Sequence, residues 1–237
     1  MAQKKLIRFE EIKSFSNVLE HPQNMQGKWN DFFKNQYSII LELACGKGEY
    51  AVGLGRMHAN KNFIGVDLKG NRIWRGAKTA LDEGLSNVAF LRTEIDQITN
   101  YFERDEVSEI WITFPDPQLR LSKAKKRLTH PKFLRLYQQI LKKDGLVHLK
   151  TDSPDLYQFT KTVINLFELK LLVDYDDAYN EATIADELRI KTYYESLDIA
   201  QSKKVHYLQF KINKPLPLEK DIILKQIINE SAVDRKN

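Results

Sequence analysis

One doubly wound α/β domain is the fold that the 237-residue sequence predicts, on three observations. Short apolar runs, SIILEL, NFIGV, NVAFL, EIWIT and GLVHL, recur from residue 38 onward and have the length and β-branched content of buried strands. Between them lie stretches with apolar side chains three or four apart, among them residues 71–83 and 153–167, and Ser153-Pro154 is a favourable helix start. Two later runs, LKLLVDY and VHYLQFKI, add two further strands. Strand and helix in alternation require parallel pairing with crossover helices on both faces. The expectation is therefore a mostly parallel seven-stranded sheet.

The elements follow in order. Residues 1–35, with Lys4, Lys5, Arg8 and the segment KWNDFFKNQY, are expected as a basic arm or helix ahead of the sheet. Residues 36–214 form the domain proper. A hydrophobic content of 42% is enough for a sizeable core. Residues 215–237, opened by Pro215 and Pro217, are expected as a peripheral tail.

Composition narrows the function classes. Cys45 stands alone, which excludes an internal disulfide and points to a reducing compartment, the cytoplasm by default. No apolar run approaches the roughly 18 residues that span a bilayer, and the opening MAQKKLIRFEE has no apolar stretch of the signal-peptide kind. The histidines at 21, 58, 130, 148 and 206 show no paired metal-ligand spacing, so no metal is expected. Formal charge is +5 and the pI about 9.0, a balance that favours polyanions. The cations crowd between Arg120 and Arg135 while Asp174, Asp176 and Asp177 gather elsewhere, so one basic face is expected.

The first strand of the domain ends in Glu42-Leu43-Ala44-Cys45-Gly46-Lys47-Gly48-Glu49, and a helix follows at once. Gly46 and Gly48 let the backbone turn tightly and approach a ligand. The next strand ends at Asp67, 19 residues beyond Gly48, close to the spacing of about 20 at which a carboxylate grips a ribose diol. Gly46-x-Gly48-x-x-Ala51 also satisfies the dinucleotide pattern, so a nicotinamide or flavin enzyme is the rival reading. Glu42 and Glu49 bracket the loop with negative charge, which disfavours a diphosphate and favours the cationic S-adenosylmethionine. Glu42 as a plain strand residue is the alternative. Glu94, just past the third strand, lies where an adenine amino group is within reach, and helix capping is its alternative.

EIWIT runs into Phe114-Pro115-Asp116-Pro117, where two prolines hold one carboxylate at low entropic cost. A simple turn is the alternative. Arg120, Ser122, Lys123, Lys125, Lys126 and Arg127 follow at once, a run suited to phosphate contacts or merely solvated. The fifth strand closes in His148-Leu149-Lys150-Thr151-Asp152, again with an acid at the ligand end, and Lys191-Thr192-Tyr193-Tyr194-Glu195 reads by pattern as a helical face.

Taken in order, ELACGKGEY, GVDLKGNR, TEIDQI, TFPDP with its basic run, HLKTDSPDLY and TYYE resemble the bacterial tRNA guanine-N7 methyltransferase family over most of residues 36–212. The resemblance implies a Rossmann-like class I methyltransferase fold with its last strand antiparallel, S-adenosylmethionine as methyl donor, tRNA as partner, and guanine-46 of the variable loop as target. It implies that Glu42, Gly46, Gly48, Asp67, Glu94 and Asp116 meet the donor. It further implies that Arg120, Asp152, Thr192, Tyr193, Tyr194 and Glu195 meet the substrate, and that residues 122–127 face the RNA. Ala44 departs from the usual first glycine, Glu94 from an aspartate, Gln118 from a tryptophan, and Ser122 and Lys123 from arginine and histidine.

The implied chemistry is undemanding. Guanine N7 has a lone pair away from the Watson–Crick edge and attacks without first losing a proton, so alignment replaces a strong base. Asp116 and Asp152 are the expected catalytic carboxylates, orienting the base, with Thr192 and Glu195 completing the pocket. Methylation of an exocyclic amine is a second enzyme reading, an RNA-binding protein without activity a third. Monomer and homodimer both stay open.

Overall fold

The computed structural model describes residues 2–197 and 203–234. Helix α1 (Ala2–Glu11) leads into strand β1 (Val18–Glu20) and the short helix α2 (Trp29–Phe33). Then β2 (Ser38–Leu43), α3 (Glu49–Met57), β3 (Lys61–Asp67), α4 (Gly70–Asp82), β4 (Val88–Arg92) and β5 (Val107–Thr113) alternate as the pattern requires. They are followed by α5 (Pro131–Ile140), β6 (Leu141–Thr151), α6 (Pro154–Leu166), β7 (Lys170–Tyr175), β8 (His206–Lys211) and α7 (Lys220–Asp234). The strand order is β1-β4-β3-β2-β5-β6-β8-β7. Every pairing is parallel except those of β8, which runs antiparallel between β6 and β7.

The sheet has eight strands among the described residues instead of the expected seven, because Val18–Glu20 pairs in parallel with β4. Three residues are too short for a periodicity to register. Within residues 1–35, Trp29 is fully buried, stacked on Phe102 at 5.2 Å, with its indole N–H donated to the Tyr101 carbonyl at 2.8 Å. Beyond Lys214, Leu216 and Leu224 enter the same core, and Arg135 fixes the segment through Asp221 at 2.7 and 3.0 Å and the Leu216 carbonyl at 2.7 Å.

Alternation along β2 divides the interior into two cores, because successive strand side chains point to opposite faces. Ile39, Leu41 and Leu43 join Trp29, Phe133, Leu134, Leu156 and Val163 on the α5/α6 face. Ile40 joins Tyr50, Val52, Leu54, Ile73 and Ala77 on the α3/α4 face. Glu42 shares the parity of Ile40, so its carboxyl is aimed at α3. Helix α6 starts as expected: Ser153 Oγ accepts from the Leu156 N–H at 3.3 Å and Pro154 takes the first turn.

Candidate active site

The carboxyl ends of β2 to β6 gather the predicted acids along one edge. The chain turns one way from β2 to β3 and β4, then the other way to β5 and β6, so the edge includes the switch point where open α/β sheets bind ligands. Asp67 ends β3, Glu94 lies exposed two residues beyond β4, Asp116 is exposed in the exit from β5, and Asp152 is half-buried directly after β6. Thr113 and Lys150 are register partners, and the Phe114 N–H donates to the Lys150 carbonyl at 2.8 Å. The loops bearing Asp116 and Asp152 therefore leave the sheet side by side.

The loop after β2 turns through three left-handed residues, Ala44 (φ 54°), Gly46 (φ 57°) and Gly48 (φ 70°). Gly48 has no alternative, since a Cβ there would lie 2.4 Å from the Phe90 ring. Asp67 holds the turn: one carboxylate oxygen accepts from the Gly46 N–H at 3.0 Å and the other from the Lys69 N–H at 2.8 Å. At Ala44 the side chain is strained by about 1 kcal/mol. Ala44→Gly is expected to raise Tm by about 1–3 °C, the gain reduced by the extra freedom of glycine in the unfolded chain; thermal unfolding checks it, and a lower Tm would show that the contact of the Ala44 methyl with the core outweighs the strain.

Glu42 is buried beneath this loop. Its carboxyl accepts from the Ala51 N–H at 2.8 Å and from the Thr113 hydroxyl at 3.1 Å. Burial pushes its pKa up to about 8 against the lowering effect of the Ala51 bond. The negative charge assigned to Glu42 from sequence is thus largely absent at neutral pH, which leaves Asp67 and Glu49 as the acids at the mouth of the loop. A folded-state pKa raised above the unfolded one contributes stability that is lost as pH rises toward the folded value. The lowered values of His130, His148 and His206 act below about pH 6.5, so Glu42 governs the window from there to 8. Stability should fall by about 2 kcal/mol across it, and Glu42→Gln should flatten the slope. Tm measured against pH for both proteins checks this.

Thr192 and Glu195 cap each other: the Glu195 N–H donates to Thr192 Oγ1 at 3.1 Å, and the Thr192 N–H to Glu195 Oε2 at 3.4 Å. Tyr194 lies over the glycine loop, 3.2 Å from where a Gly46 Cβ would stand, and Lys47 Nζ sits 3.1 Å from the centroid of the Tyr193 ring. The expected helical face is a strap of two 3-10 turns (Asp186–Arg189 and Glu195–Leu197) joined by irregular chain. Lys150 anchors it. Its side chain is wholly buried, and Nζ donates to the carbonyls of Leu188 at 2.9 Å and Ile190 at 3.0 Å, to the Tyr179 hydroxyl at 2.9 Å and to Glu195 Oε2 at 3.2 Å. Tyr179 also donates to the other oxygen of Glu195. Burial draws the Lys150 pKa down to about 8, with Glu195 opposing.

The exit from β5 is held from within. Phe114 (φ 46°) and Gln118 (φ 50°) are left-handed, and Asp116 Oδ1 accepts from the Gln118 N–H at 3.0 Å. Arg127 departs from the expected RNA-facing run. It is buried, its guanidinium 4.5 Å from the Phe159 ring, and it donates to the carbonyls of Pro117 at 3.2 Å and Gln118 at 3.3 Å. Two carbonyls turned inward by the proline-rich exit need donors, and Arg127 supplies them. Arg120, Ser122, Lys123, Lys125 and Lys126 stay exposed.

Sequence reasoning thus put the acids and the glycine loop at strand ends, where they lie, read the strap as a helical face, and missed Thr113, Tyr179 and Lys150. Lys150 had a signal: a lysine ending an apolar strand is buried only with partners. Tyr179 had none, because its role depends on where residues 177–195 cross the sheet edge.

The family model "Putative methyltransferase" matches residues 36–208. A tRNA (guanine-N(7)-)-methyltransferase of Christiangramia forsetii is 47% identical over 218 residues, covering 88% of this chain and 97% of that protein. One of Porphyromonas gingivalis is 49% identical over 193 residues, covering 81% and 78%. Among solved structures, the 16S rRNA methyltransferase KamB superposes with a TM-score of 0.59 at 14% identity, over 82% of this chain and 97% of that one, a likeness of fold alone.

Proposed function

Because the chain belongs to the family of tRNA (guanine-N(7)-)-methyltransferases, we propose that it transfers a methyl group from S-adenosylmethionine to N7 of a guanine in cytoplasmic tRNA, at guanine-46 of the variable loop. The observation that carries the donor assignment is the state of the glycine loop. A diphosphate coenzyme would use the amides that open α3, yet the Ala51 amide is already taken by Glu42, and Asp67 and Glu49 stand at the same turn. That chemistry suits a cation and repels an anion.

The residues present fit S-adenosylmethionine, with Asp67 toward the ribose hydroxyls, Gly46 and Gly48 giving close backbone approach, Glu94 toward the adenine amine, and Asp116 at the neighbouring strand end. When bound, the group supplies an electrophilic methyl on a sulfonium. Asp116 and Asp152 accept from the guanine N1–H and exocyclic amine and so aim N7, while Thr192, Tyr193, Tyr194 and Glu195 wall the base. No residue needs to remove a proton before attack. Asp152 also favours the positive charge that grows on the purine. Arg120 and the exposed cations after it contact the RNA backbone. Among the described residues no helix is long and apolar enough to cross a membrane.

Incubation with unmodified tRNA and labelled donor, followed by digestion and mass spectrometry, tests the reading. Labelled N7-methylguanosine is expected; label on an exocyclic amine, or none, overturns it. Neutralising Lys123, Lys125 and Lys126 should make the slope of log affinity against log salt shallower by about 2–3. An unchanged slope would place RNA elsewhere.

A further inference from the structure

Beside the glycine loop, a cavity of about 630 Å³ opens between α3, α4 and residues 190–193 of the strap. One glycine keeps it open. At Gly53 a Cβ would come within 3.0 Å of the Ile190 side chain and push the strap away, whereas Gly76 lets α4 pack on the glycine loop, since a Cβ there would stand 2.5 Å from the Lys47 carbonyl. Lys47, Arg56, Arg75 and Lys191 line it against one acid, Glu49. Arg56 is neutralised by Glu83 at 2.5 Å. Lys47, Arg75 and Lys191 form no ion pair with a carboxylate among the described residues, although fifteen of the chain's other lysines and arginines do. The aromatic face of Tyr193 adjoins them, with Lys47 Nζ over its ring.

Three cations that form no ion pair among the described residues, facing one carboxylate on a concave wall beside an exposed ring, suit a phosphodiester with a base near an aromatic face. The strap gives this arrangement its meaning. Residues Thr192 to Glu195 are the expected wall for the target guanine, and Ile190 to Tyr193 also line the cavity. A strand of RNA whose base meets Thr192 to Glu195 brings its flanking phosphates within reach of these cations.

We propose that the cavity between α3, α4 and residues 190–193 is a second RNA-binding site, which holds the backbone phosphates flanking the target nucleotide through Lys47, Arg75 and Lys191. The proposal rests on tRNA being the substrate. It adds a contact separate from the exposed lysines after Arg120, and it shares Thr192 and Tyr193 with the proposed wall of the base pocket. Its work is to add affinity for the RNA, which phosphate contacts supply while the pocket selects the base.

The test is the double variant Arg75→Gln/Lys191→Gln, both positions being exposed. Its binding of unmodified tRNA is measured over a salt series, alongside binding of S-adenosylmethionine by calorimetry and methylation at saturating tRNA. The expected result is a salt slope shallower by about 1.5 and tRNA affinity roughly tenfold weaker near physiological salt, with donor affinity and saturated turnover within about twofold of wild type. The charge-conserving pair Arg75→Lys/Lys191→Arg should bind tRNA like wild type. An unchanged slope in the glutamine variant overturns the site, and so does loss of donor affinity, which would give the cavity to the methyl donor. If wild-type protein neither binds nor methylates tRNA, the functional reading fails first, and that outcome is distinct from these.

Discussion

Lys150→Met is expected to lower Tm by roughly 10 °C and the turnover number by about a hundredfold, while leaving S-adenosylmethionine affinity within about twofold. Removing one member of a buried ion pair strands the other, at about 3–5 kcal/mol, and at this chain length each kcal/mol moves Tm by about 2–4 °C. Here the stranded groups are the Glu195 carboxylate and the carbonyls of Leu188 and Ile190. The strap then loses its anchor, and a displacement of about 1 Å at an aligned site costs about 10² in rate. The glycine loop is held instead by Asp67 and Glu42, which the substitution does not touch. Double-mutant analysis isolates the pair: Lys150→Met/Glu195→Gln removes the buried charge with its partner and should recover part of the lost Tm. Equal Tm in the single and double variants would show that Lys150 does not act through Glu195.

Asp152→Ala should reduce turnover by about 10²–10³ with the fold and donor affinity nearly intact, the range found when one preorganised electrostatic partner is deleted. The helix cap of α6 belongs to Ser153, so truncating its neighbour leaves that helix start in place. Asp152→Asn keeps an acceptor oxygen without the charge and should fall between the two. Rapid-quench kinetics with saturating donor and tRNA separate these cases, and wild-type turnover in Asp152→Ala would remove that residue from the mechanism.

Much of this molecule is legible in its sequence. Strand and helix periods in residues 38–175 forced the parallel order, and an acid at the end of each of several strands necessarily meets the others along one edge, because parallel strands share a direction. Local chemistry told less at Arg127. In sequence it is one more cation in a basic run, and only the inward turn of the Pro117 and Gln118 carbonyls makes it an internal donor. At Glu42 the residue type was informative and its charge state was not, since the charge depends on burial beneath the loop.

The sequence by itself determined the alternation of elements, the glycines at left-handed turns, and the identity of the acids at the strand tips. Each is settled by residues close in the chain, through steric limits on φ or through periodicity. Tertiary structure decided the eighth strand, the buried place of Trp29, the latch of Lys150 on the strap, and the cationic cavity beside it. Those depend on which distant groups share one desolvated space, where a buried ammonium must find acceptors and a carboxyl gives up its charge. The physical reason is that hydrogen-bond partners and local dielectric are properties of the packed assembly, and no short stretch of chain carries them.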